Sequence, residues 1–391
     1  MQTVCKYPIV FVHGLFGWGS DEGIDRKMPY WGATTGSLID FLTEEGYECY
    51  SASVGPISSA WDRACELYAR LTGTRVDYGA EHSAYRKHRR YGRTYHKPLF
   101  EGWGPEKKVH LIGYSFGGNT IRLLVHLLTY GDQRERDHTD PKELSGLFTG
   151  GKGDWVQSVV TICSPHNGTY CFEAAHKYKM LPMLRAIIYN GVGLLGRSPA
   201  EGKIVDYHLE QYGMSDTPGE SDAFPLYRAK RRYVRYHDNI EYDMSAEGAK
   251  YLNKSVSISP NVFYFSYAFN AVTKNGKHTK ASETDFPFMK VTSMLMRQYS
   301  RSIGADEADL MNDGLVQVSA ALHPNDEPFT DYDPKDVQPG VWHVMPLQIG
   351  DHGTPIGLMA DKEKTHKFYL DMLEILRKTE NHAPNEVTAC Q

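Results

Sequence analysis

The chain has 391 residues, 41% of them hydrophobic, which is enough to bury a sizeable core and excludes both a disordered chain and a small disulfide-held module. Lys and Arg number 43 against 48 Asp and Glu, and the net charge of -5 excludes coating of nucleic acid or an anionic membrane through bulk charge. Six cysteines without a Cys-x-x-Cys pair suggest neither a disulfide framework nor a thiolate zinc site, and they leave the compartment open. Mean hydropathy is -0.49 and no apolar run reaches the length of about 18 residues that a membrane span requires, so no transmembrane segment is predicted. No signal peptide is visible ahead of the first apolar segment. From there, apolar runs alternate with longer amphipathic stretches, at 9–12, 33–45, 49–54, 60–71, 109–112, 118–130 and 156–163. Strands alternating with helices of these lengths predict βαβ crossovers and a mostly parallel central sheet covered on both faces. Residues 73–106 show no convincing period and are rich in Gly, Tyr, His and Arg, so they read as a long ordered insertion that something such as a bound metal must hold. Residues 171–196 predict a helix with an apolar face, either buried or a mobile lid, and 221–236 predict a second helix loaded with Arg and Lys. A strand at 262–267 and an amphipathic helix near 361–378 follow, then a polar tail, with no internal repeat.

The run Val109-His110-Leu111-Ile112 leads into Gly113-Tyr114-Ser115-Phe116-Gly117-Gly118, and a helix pattern continues from there. Strand, Gly-x-Ser-x-Gly and helix together are the context of a nucleophile elbow, in which the glycines allow strand and helix backbones to approach closely. Ser115 then stands beside a helix N-terminus, whose free N–H groups favour developing negative charge. The first apolar strand is followed at once by His13-Gly14-Leu15-Phe16-Gly17-Trp18-Gly19. A Gly-rich turn there is placed to give one oxyanion-hole donor, the other coming from the residue after the nucleophile, so the candidate donors are the backbone N–H groups of Leu15 and Phe116.

In this arrangement an acid and then a histidine follow the nucleophile in sequence. His166, His323, His343 and His352 all lie after Ser115, and His352 is the choice for general base because Gly350-Asp351-His352-Gly353 forms a late loop before the last helix. Asp313, in Asn312-Asp313-Gly314, is the candidate acid, although Asn-Asp-Gly is equally an ordinary turn.

Several strings together resemble the secreted bacterial lipases of the thermoalkalophilic bacillus and staphylococcal kind, including related clostridial-type esterases. They are HGLFGWG at 13–19, VGPISSAWDRACELYA at 54–69, VDYGAEH at 76–82, YGRTY at 91–95, the Ser115 elbow, TICSPHNGT at 161–169, PGES at 218–221, YDMSAEGAKYLN at 242–253, NDG at 312–314, GVWHVM at 340–345 and Asp351-His352. The likeness covers roughly 7–375. It implies an α/β-hydrolase fold over 1–391 as a single domain, with a zinc-binding insertion at 73–106 and a lid or helical insertion at about 171–240. It implies Ser115, Asp313 and His352 as a catalytic triad, and an extracellular location.

The resemblance further implies a structural zinc held by Asp62, His82, His88 and Asp238, with His96 and His237 as the alternatives. His82 and His88 are six residues apart, about 240° around a helix, so both reach one ion only if the segment is a loop. Two imidazoles and two carboxylates make a closed four-coordinate site of the structural kind. Tyr78, Tyr85, Tyr91 and Tyr95 are expected to pack around it, their hydroxyls satisfying local backbone groups. The family's calcium site is not expected, because the residues that follow His352 are Gly353-Thr354-Pro355-Ile356-Gly357-Leu358-Met359-Ala360, without carboxylates. Arg86, Lys87, Arg89, Arg90, Arg93 and Lys97, then Arg228, Lys230, Arg231, Arg232 and Arg235, read as a solvated rim partly paired with the excess acid rather than a nucleic-acid surface.

The expectation is thus an ester hydrolase, a lipase or esterase acting on large apolar esters such as triacylglycerols and also aliphatic polyesters, with contact at a lipid or polymer interface. An acyltransferase or peptidase on the same triad, or a non-catalytic binding protein on the same fold, is the alternative. Oligomeric state is not legible.

Overall fold

Strand Ile9–Val12 is apolar at every position because both of its faces are covered: Val10 and Val12 join one hydrophobic core, and Ile9 and Phe11 join a second. The structure, a computed structural model, describes residues 4–179, 206–213, 235–275, 278–284 and 286–381. In chain order the strands are Ile9–Val12 (β1), Cys49–Ala52 (β2), Arg75–Asp77 (β3), Tyr91–Thr94 (β4), Val109–Tyr114 (β5), Val156–Ile162 (β6), Phe263–Tyr267 (β7), Phe269–Asn270 (β8), Val272–Asn275 (β9), His278–Ala281 (β10), Phe329–Asp331 (β11), Trp342–Val344 (β12) and Gln348–Ile349 (β13). A seven-stranded sheet runs in the order β11-β12-β7-β6-β5-β1-β2. Every neighbouring pair in it is parallel, which requires crossovers and explains the alternation of strand and helix along the chain.

Helix Leu38–Glu44 (α1) packs on one face together with the C-terminal helix Lys362–Thr379, through Leu38, Leu42, Tyr369, Met372, Leu373 and Leu376. Helices Ala60–Thr72 (α2) and Phe116–Tyr130 (α4) cover the other face. The short helix Ala80–Arg86 (α3) lies between them in sequence. Ser59 caps α2 by accepting from the Asp62 N–H, and Gly73, at φ 67°, ends it in the left-handed conformation. Helix α1 starts later than the amphipathic pattern from residue 33 suggests, because Ser37 caps it by accepting from the Asp40 N–H. The two chain ends are joined by Glu380, which accepts from the N–H groups of Lys6 and Tyr7, both at 3.0 Å, and lies 3.0 Å from His110 Nε2.

Residues 73–106 are not one loop. Strands β3 and β4 pair antiparallel and α3 sits between them. The strands are three and four residues long and only one of their residues is fully buried, so neither carries a readable alternation. Of the apolar segment at 171–196, helix Tyr170–Lys177 accounts for the start. The rest of that expectation, from 180 on, and most of the basic helix at 221–236 lie outside the described residues.

Helix α4 begins against the first strand. A Cβ on Gly117 would lie 2.1 Å from the Val12 carbonyl oxygen, and one on Gly113 would lie 2.5 Å from the Gly117 carbonyl carbon. Because backbone blocks Gly117, Gly117→Ala is expected to destabilise the fold by about 3 kcal/mol. Denaturant unfolding of the variant with an unchanged midpoint would contradict this close approach.

Candidate active site

Ser115 links β5 to α4 at φ 54° and ψ -129°, a conformation unusual for a residue with a side chain. That turn lifts the hydroxyl off the C-terminal end of the sheet, where a doubly covered parallel sheet presents its loops. Gly14, in the turn after β1, faces it so closely that a Cβ there would lie 2.7 Å from the Ser115 Cβ. His352 Nε2 is 3.0 Å from Ser115 Oγ, and His352 Nδ1 is 2.7 Å from Asp313 Oδ2. The three residues are 4–6% exposed at the serine and histidine and 1% at the aspartate.

Backbone contacts hold each member of this series. Asp313 Oδ1 accepts from the N–H groups of Leu315 (2.9 Å) and Val316 (2.7 Å), which leaves Oδ2 for the imidazole. The His352 N–H donates to the Asp313 carbonyl at 2.8 Å, and the Tyr114 hydroxyl donates to the His352 carbonyl at 2.5 Å. Nδ1 therefore carries the proton toward Asp313 and Nε2 presents its lone pair to the serine. Asp313, one of two readings of Asn-Asp-Gly in the sequence, is both the turn and the partner of His352. The other histidines are engaged elsewhere: His166 with Thr161 and Arg122, His323 stacked on Phe329, and His343 with Gln338.

Leu15 lies in the turn opposite, and Phe116 is the first residue of α4, where an amide has no preceding helical carbonyl to donate to. Both N–H groups thus belong to backbone that flanks the Ser115 hydroxyl. Sequence reasoning missed the side chains that fix this turn. Arg63, buried on α2, donates to the carbonyls of Gly55 (2.7 Å) and His13 and to Thr120 Oγ1 (2.8 Å). The Phe16 N–H donates to the Pro56 carbonyl at 3.0 Å. An arginine inside an apolar-faced helix was the available signal, since such a residue needs several acceptors when buried. Asp351 was missed likewise. Its Oδ1 accepts from the N–H groups of Gly353 (3.0 Å) and Thr354 (3.1 Å), and Thr284 donates to Oδ2, so it shapes the loop that carries His352.

Asp62, His82, His88 and Asp238 meet in a second buried cluster, their ligand atoms all within 4.8 Å of one another. His82 Nε2 is 3.5 Å from both Asp62 Oδ1 and Asp238 Oδ1, while His88 Nε2 is 3.1 Å from Asp238 Oδ2 and 4.0 Å from Asp62 Oδ1. The loop expected around both histidines is corrected here. His82 is on α3, and the helix stops at Lys87, whose left-handed φ of 63° turns His88 back toward His82. The atoms facing the centre, Asp62 Oδ1, Asp238 Oδ1, His82 Nε2 and His88 Nε2, are buried without hydrogen-bond partners. Other atoms of these side chains have partners, Asp62 Oδ2 in Gln211 (2.8 Å), Asp238 Oδ2 in the Tyr212 hydroxyl (3.0 Å) and His88 Nδ1 in the Arg89 carbonyl (2.8 Å). Orphaned donors of mixed N and O type around one point fit a metal ion. Their separations are close to the edge of about 3.3 Å in a tetrahedron with bonds of about 2.0 Å.

The tyrosines meet the expectation only in part. Tyr78 sets its ring edge-on to His88, yet its hydroxyl donates to the Glu66 carboxylate at 3.0 Å rather than to backbone. Tyr85 is 65% exposed, and Tyr91 packs under Arg75 and Arg90. Trp61, stacked on His82 at 4.8 Å, adds an aromatic wall that the tyrosine pattern did not point to. Basic side chains of the insertion pair with acid as expected, Arg90 with Asp77 and Arg93 with Asp206.

Residues 5–386 match the family described as lipase-like, C-terminal domain. The chain belongs to this lipase family. Lipase 2 of Staphylococcus aureus is 37% identical over 366 residues, which is 92% of this chain and 51% of that protein, so the chain spans about half the length of the curated relatives it matches. Among solved structures, Staphylococcus hyicus lipase superposes with a TM-score of 0.79 at 32% identity over 96% of both chains. EstA from Clostridium botulinum matches with a TM-score of 0.79 at 34% identity, covering 96% of this chain and 88% of its own. Lipase 1 from Pelosinus fermentans matches with a TM-score of 0.78 at 34% identity, covering 96% and 99%. The parallel sheet with helices on both faces is that of an α/β-hydrolase. Among the described residues no helix is long and apolar enough to cross a membrane.

Proposed function

We propose that the chain is a carboxylic ester hydrolase that acts on large apolar esters such as triacylglycerols, and on aliphatic polyesters through the same ester chemistry. The observation that carries this reading is the hydrogen-bonded series Ser115 Oγ, His352 Nε2 and Nδ1, Asp313 Oδ2, at 3.0 and 2.7 Å. His352 Nε2 takes the Ser115 proton as Oγ attacks the ester carbonyl carbon, and Asp313 stabilises the resulting imidazolium. The carbonyl oxygen becomes an oxyanion received by the N–H groups of Leu15 and Phe116. His352 then returns the proton to the departing alkoxide, which leaves as the alcohol. Water repeats the cycle on the acyl-enzyme: His352 takes its proton, the hydroxide oxygen adds to the carbonyl, and Ser115 departs reprotonated.

The same proposal makes the chain one α/β-hydrolase domain and assigns zinc to Asp62, His82, His88 and Asp238 as a structural ion. The chemistry such an ion supplies is cross-linking: it joins α2, the α3 insertion and the segment at 238. The similarity to lipases of staphylococci supports an extracellular setting and contact with a lipid or polymer surface.

Turnover of nitrophenyl and glyceride esters across acyl lengths tests the reading. Ser115→Ala is expected to lower kcat by about 10⁴-fold or more and Asp313→Asn by about 10³- to 10⁴-fold, both with folding intact. Ester turnover undiminished in Ser115→Ala removes the proposal. For the ion, elemental analysis is expected to find one zinc per chain, and both chelation and His88→Ala to lower unfolding stability by about 3 kcal/mol. A metal-free chain that melts no differently with a chelator present removes the zinc assignment while leaving the ester reading standing.

A further inference from the structure

Two of the four residues assigned to the ion, His82 and His88, lie on α3 or just past it, and α3 has only seven residues. A helix that short is marginal by itself. Its N-cap is Gly79, which has no side chain to receive the N–H groups that a helix start leaves unpaired. Another element receives them. Helix Gln133–His138 (α5) follows α4, capped by Asp132, which accepts from the Glu135 N–H at 2.9 Å. Glu135, 1% exposed, turns its carboxylate onto the start of α3. Its Oε1 accepts from the His82 N–H at 2.7 Å and its Oε2 from the Glu81 N–H at 3.1 Å. Gly79 makes room for this, since at its φ of 94° a Cβ would lie 2.3 Å from Glu135 Oε1.

Burying a carboxylate is costly, and the bonds that offset the cost here go to the backbone that carries a ligand. The grip on His82 is direct. His88 is held through the other end of the same helix, where the Ser83 carbonyl accepts from the N–H groups of Lys87 and, at 3.1 Å, of His88. Trp61 stacks on the His82 ring and so fixes the plane of the imidazole, but the place of the helix is set by Glu135. Asp62 is differently supported, on the thirteen-residue α2 with its own cap in Ser59. We propose that Glu135 is a positioning residue for the ion: by capping α3 from α5 it places the His82 and His88 imidazoles in advance, so zinc affinity depends on a carboxylate outside the ligand set. This rests on the zinc assignment above.

The test measures zinc affinity by competition with a chromophoric chelator in the full wild-type chain, Glu135→Gln and Glu135→Asp. The visible spectrum of bound cobalt(II) and the thermal midpoint with and without zinc are read on the same samples. Glu135→Gln, which sets an amide donor against a backbone N–H, is expected to bind zinc roughly 10- to 100-fold more weakly. Glu135→Asp keeps the charge but falls a methylene short, and it is expected to weaken binding as well and to alter the cobalt bands. In both variants the midpoint gap from wild type should be wider with zinc than without. Wild-type affinity in either folded variant overturns the proposal, as does a midpoint gap that zinc leaves unchanged, which is the mark of an ordinary cap. If neither variant folds, hydrogen exchange in the metal-free wild type decides: the Glu81 and His82 amides should stay protected, and free exchange there overturns the proposal. A wild type that binds no zinc is failure of the zinc assignment itself, and this inference falls with it.

Discussion

The close approach of β5, α4 and β1 around Ser115 governs everything built on the sheet's C-terminal edge. With no room for a side chain on Gly113 or Gly117, the helix N-terminus sits directly on the backbone of Val12 and His13. One contact therefore brings three things together: the strained serine, the first free amide of α4 and the Gly-rich turn that carries Leu15. The strain at Ser115 persists because the parallel pairing of β5 with β1 on one side and β6 on the other leaves the turn no other course. His352 and Asp313 arrive from more distant sequence, and their loops are anchored by backbone bonds to each other, so the series is aligned before any substrate binds.

The buried four-residue cluster solves a different problem. Strands β3 and β4 and helix α3 form an appendage too small to own a core, and 238 comes from a remote part of the chain. Four orphaned ligand atoms pointing inward are unfavourable in themselves, since each has given up water without a partner. An ion there, as proposed, would turn that penalty into a cross-link. Because Asp62 and Arg63 are adjacent on α2, the helix that presents one ligand to the cluster also clamps the turn beneath Ser115. The appendage and the candidate active site thus share a rigid element.

How much of this was legible in the sequence depended on whether a residue's role is local. Strand and helix runs around 9–12, 60–71 and 109–130 were readable because burial on one or two faces imposes a period. Ser115 was readable because its turn demands flanking glycines at fixed offsets. His352 and Asp313 could be nominated from loop placement, but their pairing depends on a separation of 39 residues that no local pattern encodes. In the insertion, strands of three and four residues leave no period to read, and a single left-handed residue, Lys87, removes the helix-geometry objection to His82 and His88. Composition likewise does not say whether a tyrosine ring meets a cluster histidine, as Tyr78 does, an arginine, as Tyr91 does, or water, as Tyr85 does.

Buried charges are the class that the sequence hid most completely. Glu22, Glu66 and His208 look like ordinary surface residues one at a time, and only the fold shows that they converge with Arg63 beneath a single turn. Their separation explains both the concealment and the consequence. Glu22 follows β1, Glu66 lies on α2, and His208 comes from a segment that also supplies Gln211 to Asp62 and Tyr212 to Asp238. A displacement of 206–213 would therefore be felt at the four-residue cluster and at the turn opposite Ser115 together. Mutual dependence of this kind follows from burying charge: each group is tolerated only while its partners stay in place, so elements far apart in sequence must remain docked at once.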